Sequence, residues 1–173
     1  MSSINLFIFV IPVFLIRYLF VFLSAKDKLS VLDYFPPDMG LEKVGRIFYL
    51  IINTFLLFFP IFMYSGNLLW SAITGILLYV TGLILYFISI RDFIKSEGLI
   101  TKGIYSKSRN PQMISFILIY FGIGITGYSL IYLFLTIILI LAFYWLSLSE
   151  ERYCLEKYGE LYKNYIKTTP RFI

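Results

Sequence analysis

The chain has 173 residues, 60% hydrophobic and 20% aromatic but only 14% charged, whereas soluble domains run roughly half apolar and a quarter charged. That balance excludes a water-soluble globule and leaves room for one membrane-embedded domain, residues 1–173. With no His, a single Cys154 and a net charge of +5, imidazole-based hydrolysis, metal centres and an internal disulfide are excluded, and the charge reads as orientation and contact with anionic membrane lipids, not nucleic acid.

In chain order, the first apolar segment is 4–24. No base precedes it, and a cut after Ala25 would put the bulky Leu23 where a signal peptidase needs a small residue, so it reads as a retained helix. Arg17 lies about two turns from its charged end and either snorkels, the reading its long stem favours, or pairs within the bundle. After the polar stretch 25–43 come apolar segments 44–64 and 68–90, parted by Ser65-Gly66-Asn67, which predicts a tight hairpin. Ser71, Gly75 and Gly82 give the third segment a small-residue face for close packing. Polar residues 91–111 precede segments 112–128 and 129–149, joined by a second tight turn around Gly127-Tyr128-Ser129. From Glu150 to about Lys167 the pattern predicts one amphipathic helix, with Cys154, Tyr158, Leu161, Tyr162 and Tyr165 along one side and Gly159 weakening it.

The three polar segments 25–43, 91–111 and 150–173 hold 13 of the 15 bases and all 10 acids. With five spans they share one face, which the positive-inside bias places in the cytoplasm, with the N-terminus outside and the C-terminus inside. The predicted fold is an all-α bundle of five transmembrane helices with an amphipathic C-terminal helix on the cytoplasmic face.

Gly122-Ile-Gly124-Ile-Thr-Gly127 matches the dinucleotide fingerprint G-x-G-x-x-G. That motif needs a preceding strand and an acid about 20 residues on. Here it ends a membrane segment, residues 128–149 hold no acid, and the glycines read as loosening a turn.

Two stretches on the charged face concentrate polar chemistry. In Glu97–Pro111, Pro111 suits the first turn of a helix, so Arg109 and Asn110 would sit at its N-terminus, where free amides favour an anion. In Ser149-Glu150-Glu151-Arg152, neighbouring carboxylates leave the membrane together. The hairpin of the fourth and fifth segments must return the two stretches to the same face. Charge placement alone is equally served by solvated helix ends and positive-inside bases.

From Glu97 to Arg171 these residues resemble the membrane-embedded isoprenylcysteine carboxyl methyltransferases, with phospholipid N-methyltransferases as wider relatives. Leu99-Ile-Thr-Lys-Gly-Ile-Tyr105 followed by Arg109-Asn110-Pro111 is similar to that family's L-V-x-x-G-x-Y and R-H-P. Glu150-Glu151 is similar to its acidic pair, and Tyr158-Gly159-Glu160-Leu-Tyr162-Lys-Asn-Tyr165 with Pro170-Arg171 to its tail. The resemblance implies an S-adenosylmethionine site at Leu99, Ile100, Tyr105, Arg109, Asn110, Pro111 and Glu150, with Arg109 and Glu150 carrying catalysis and a lipophilic acceptor entering from the bilayer. It implies a carboxylate acceptor of isoprenylcysteine type. A phospholipid amine is the alternative, and a non-enzymatic membrane scaffold is the reading from another class. Glu97 and Asn110 stand where the family has His. Leu146 stands where it has an acceptor-binding Arg, so Arg152 is expected to bind the substrate in its place, with Arg17 the other base inside a span.

Overall fold

The computed structural model describes residues 4–32, 34–66 and 68–172. Among these the regular secondary structure is helical, with one isolated antiparallel bridge between Asn5 and Tyr64. Helix α1, Leu6–Ser24, is irregular: a 3-10 turn, a short α-helical turn, a π-helical turn at Leu15–Phe20 and a last α-helical turn. Helix α2 spans Glu42–Phe58 and tightens into a 3-10 turn at Phe59–Phe62, where Pro60 removes a backbone donor. Then come α3, Leu69–Ile94, α4, Pro111–Thr126, α5, Leu130–Tyr158, and α6, Glu160–Thr168.

Four of these, α1, α2 with its 3-10 extension, α3 and α5, are long and apolar enough to cross a membrane. The fourth predicted span is shorter. With 16 residues, α4 reaches about 24 Å against a hydrocarbon core of about 30 Å, so its N-terminus lies inside the bundle.

The uncharged end is sewn together by backbone. Leu6 N donates to Met63 O (2.9 Å), Ser65 N to Ile4 O (2.8 Å) and Gly66 N to Thr126 O (2.9 Å), so both hairpin turns and the start of α1 meet there. Asn67 of the first turn lies outside the described residues. In the second turn Tyr128 takes φ +52°, and the Ser129 hydroxyl caps α5 by accepting from Tyr132 N. At the opposite end the three polar segments touch pairwise: Lys28 Nζ donates to Ser96 O, Arg152 binds Glu42, and Arg109 faces Glu151.

Helix α3 packs along α4, and α2 and α4 both pack on α5. The first seam is backbone against backbone: a Cβ on Gly75 would fall 2.7 Å from Gly122 O, and one on Gly122 2.6 Å from Tyr79 N. Gly75 and Gly82 thus form the predicted packing face. The glycines of the G-x-G-x-x-G run behave differently from the turn expected of them. Gly122 and Gly124 lie within α4, against α3 and α5, and only Gly127 sits at the turn. Dispersion at close approach replaces the hydrophobic drive that lipid does not supply. Buried tyrosines satisfy their hydroxyls across the bundle, Tyr79 donating to Phe9 O, Tyr132 to Leu56 O and Tyr120 to Asn53 Oδ1.

Two further expectations are corrected. Helix α5 runs unbroken past Glu150 and Glu151 to Tyr158, and a separate α6 begins after Gly159, whose φ of +53° ends the helix. Leu161 faces outward, away from the buried Tyr162 and Tyr165. Arg17 does not snorkel: its guanidinium turns into the bundle, Nη1 donating to the Tyr86 hydroxyl and Nη2 to Leu32 O, each at 3.1 Å.

Candidate active site

The charged end of the bundle is built around the loop from α3 to α4. Asp92, in the last turn of α3, accepts from Ile104 N at 2.9 Å and from the Arg91 guanidinium. Gly103 lies directly over that carboxylate with φ +65°, and a Cβ there would collide with Asp92, so only glycine lets the loop close. The resulting 3-10 turn, Gly103–Ser106, buries Tyr105. The Tyr105 hydroxyl accepts from Gln112 Nε2 (3.0 Å), and its carbonyl accepts from the Tyr165 hydroxyl (2.5 Å). Burial pushes the Tyr105 phenol well above its ordinary pKa, so it stays neutral at physiological pH.

Pro111 opens α4 as predicted. The C-terminal tail then clamps this helix end: Arg109 N donates to Pro170 O, and Asn110 Nδ2 and the Ser108 hydroxyl donate to Arg171 O. Asn110 therefore spends its amide on holding the tail. Arg171 grips Glu151 with two parallel hydrogen bonds, Nε to Oε1 at 2.6 Å and Nη2 to Oε2 at 2.8 Å. On the other side of the same carboxylate lies Arg109, its Nη1 3.0 Å from Oε1 and its side chain 9% exposed. That approach is an ion pair without hydrogen-bond geometry, and Arg109 Nε and Nη1 are buried with no hydrogen-bond partner among the described residues.

Two cavities meet here. An outer cavity of about 180 Å³ at the charged end is lined by Leu99, Ile100, Glu151, Tyr158 and Tyr162 among others. A chamber of about 200 Å³ among the apolar helices is lined by Arg17, Phe35, Tyr49, Pro111, Phe143 and Leu146 among others. Tyr105, Arg109, Asn110 and Glu150 line both. All seven residues expected at the cofactor therefore converge on this junction, from a loop, a helix start and the middle of α5. Unlike Glu151, Glu150 has no hydrogen-bond or ion-pair partner among the described residues.

Arg152 is not brought to this junction. It binds Glu42 through Nε (2.8 Å) and Nη2 (2.7 Å), Glu156 through Nη1 and Pro37 O through Nη2, and lines neither cavity. Six residues beyond Leu146 on a helix, it lies nearly two turns further along and on another face. Its contacts fasten the segment that carries Tyr34 and Phe35 into the chamber wall. The base that lines the chamber besides Arg109 is Arg17. Asp92, Gln112 and Arg171 are further parts that residue patterns did not single out individually. Asp92 left a faint signal, an acid at a helix end followed eleven residues later by glycine.

Fold and site together define a multi-pass membrane protein with a buried polar junction at the charged end of its bundle. Residues 70–161 match the family model for phospholipid methyltransferases, which is more than half of the chain. The chain belongs to the phospholipid methyltransferase family, related to the isoprenylcysteine carboxyl methyltransferases, and is thus a membrane methyltransferase. No curated protein and no solved structure matches it. The match covers α3 to α5 with both polar stretches, while Arg17, Phe35 and Tyr49 of the chamber wall lie outside it.

Proposed function

We propose that the protein transfers a methyl group from S-adenosylmethionine to a lipophilic acceptor drawn from the bilayer, and that the acceptor group is a carboxylate of isoprenylcysteine type. The observation that carries this reading is the wall of Tyr105, Arg109, Asn110 and Glu150 shared by the two cavities. One cavity serves a polar cofactor and the other a membrane-borne acceptor, with the reacting atoms meeting between them. The residues fit the cofactor. Arg109 keeps a buried Nε–H without a hydrogen-bond partner, and its Nη1 meets Glu151 only as an ion pair, which leaves the guanidinium suited to the cofactor's carboxylate. Glu150 offers a partnerless carboxylate to its amine or hydroxyls, and the Tyr105 face suits its sulfonium charge. S-adenosylmethionine supplies an electrophilic methyl, so a lone pair on the acceptor forms the new bond as the carbon–sulfur bond breaks and the sulfonium becomes a neutral thioether.

The chain's own residues orient the partners and exclude water. An ionised carboxylate needs no general base, and the absence of His is no obstacle. One observation favours a second acceptor, the amine of a phospholipid head group: besides the family match, Glu150 faces the chamber and can draw in an ammonium and take its proton. The two acceptors are told apart by methyl transfer to a farnesylcysteine and to an ethanolamine lipid, side by side in wild type and Leu146→Arg. Under the carboxylate reading the wild type methylates the farnesylcysteine and the added cation raises the rate. Under the amine reading Leu146→Arg lowers activity on the lipid by repelling its head group. If neither protein modifies either acceptor, both acceptor classes fall.

The positive-inside bias supports a reading in which the charged junction end faces the cytoplasm and the N-terminus lies outside. In a Cys154→Ser background, Ser129→Cys is expected to react with an impermeant thiol reagent added outside the cell, and Ser106→Cys is not. Labelling of Ser106→Cys from outside reverses the orientation.

A further inference from the structure

We propose that Arg17 holds an anionic group of the methyl acceptor, and that an apolar groove beside it, between α1 and α2, takes the acceptor's hydrocarbon tail. The proposal rests on the methyl-transfer reading above and adds to it the residue that recognises the acceptor. The groove has a volume of about 270 Å³ and is lined by Val13, Phe14, Leu50, Asn53 and Leu57. It shares Arg17, Phe35, Tyr49 and Phe116 with the chamber. Arg17 therefore stands at the neck between an apolar slot and the polar junction, where the head of an amphiphile lies once its tail is in the slot.

Three observations converge on that role. Arg17 and Arg109 are the basic residues lining the chamber, and Arg109 sits at its cytoplasmic wall against Glu151. Arg17 lies seven residues before the end of α1, about 10 Å below its charged end, a depth at which basic residues are rare and mark substrate or ion pathways. The Tyr86 hydroxyl and Leu32 carbonyl keep the guanidinium at this depth. Finally, the helix around it is π-wound over Leu15–Phe20, a rare irregularity that occurs frequently at functional sites. Leu146, on the same chamber wall, brings no charge of its own. A guanidinium fork suits a carboxylate and a phosphodiester alike. The acceptor's anion is then either the carboxylate to be methylated or the phosphate of a lipid whose amine reaches Glu150.

Equilibrium binding to purified protein in detergent tests this without cofactor or turnover. One arm compares a farnesylcysteine with its methyl ester, the other a lysophosphatidylethanolamine with the corresponding monoacylglycerol. The wild type prefers the charged member of one pair by about tenfold or more. Arg17→Gln removes that preference while leaving S-adenosylmethionine binding unchanged. Arg17→Lys, which keeps a cation without the fork, retains part of it and covers the case in which Arg17→Gln does not fold. The arm that responds names the source of the anion. Leu50→Trp narrows the groove and weakens binding of the long-chain acceptor but not of a short-chain analogue. Unchanged discrimination in both Arg17 variants, or equal loss of charged and neutral ligands, overturns the proposal. Failure of the wild type to bind S-adenosylmethionine overturns the methyl-donor reading instead, with the Arg17 comparison still readable from acceptor binding.

Discussion

Arg109→Ala is expected to lower the affinity for S-adenosylmethionine by more than tenfold, measured by equilibrium dialysis of purified protein. Arg109 Nε is buried without a hydrogen-bond partner and Nη1 meets Glu151 only as an ion pair, so a bound carboxylate gains a charge-assisted bond at Nε while Arg109 keeps its pairing with Glu151. Such a bond contributes about 1.5–3 kcal/mol, equal to roughly ten- to 150-fold in affinity. Glu150→Gln is expected to act in the same direction, because it replaces a partnerless carboxylate at the wall shared by both cavities with a neutral amide. Wild-type affinity in both variants would remove the cofactor from this junction. Tyr105→Leu tests the aromatic face and costs less, on the order of 1 kcal/mol.

How much of this was legible in the residues depends on the range over which each signal acts. Span positions and the shared charged face follow from hydropathy and charge counts, and the structure keeps them with shifts of a few residues at most helix ends, while α5 runs nine residues past its predicted end to Tyr158. The site assembled because its parts are short motifs at the ends of a hairpin, Arg109-Asn110-Pro111 and Glu150-Glu151, which chain connectivity must bring together. What pattern reading missed is long-range. Arg152 is adjacent to the acidic pair in sequence, yet Glu42, 110 residues away, claims it. Arg17 is closer to the chamber than any local rule implies, because Tyr86, 69 residues on, anchors it. The glycines of α4 were misread as turn formers because a close-packed helix seam and a loosened turn use the same residue type. Only the partner glycine on α3 distinguishes the two.

Glu151→Gln is expected to be the most damaging single change at the site, for a reason separate from cofactor contact. The Glu151 side chain is 12% exposed and lies between two guanidinium groups, Arg109 and Arg171. Removing its charge leaves two arginines facing one neutral amide, and breaking a buried pair in this way costs about 3–5 kcal/mol. Arg171 is the less buried partner, at 24% exposure, and can escape into water. The tail then peels from the start of α4, releasing the bonds from Arg109 N, Asn110 and Ser108 to Pro170 and Arg171. The expected signature is double: faster tryptic cleavage after the exposed Lys167, and weaker S-adenosylmethionine binding because Arg109 is no longer fixed. Arg171→Gln leaves Glu151 paired with Arg109, so it frees the tail with a smaller loss of affinity. The double variant Glu151→Gln with Arg171→Gln relieves the like-charge contact and recovers part of the stability lost in Glu151→Gln alone, a non-additivity expected of residues sharing one carboxylate. If Glu151→Gln keeps wild-type tail protection and cofactor affinity, the clamp does not position Arg109, and the guanidinium is held by the α4 backbone alone.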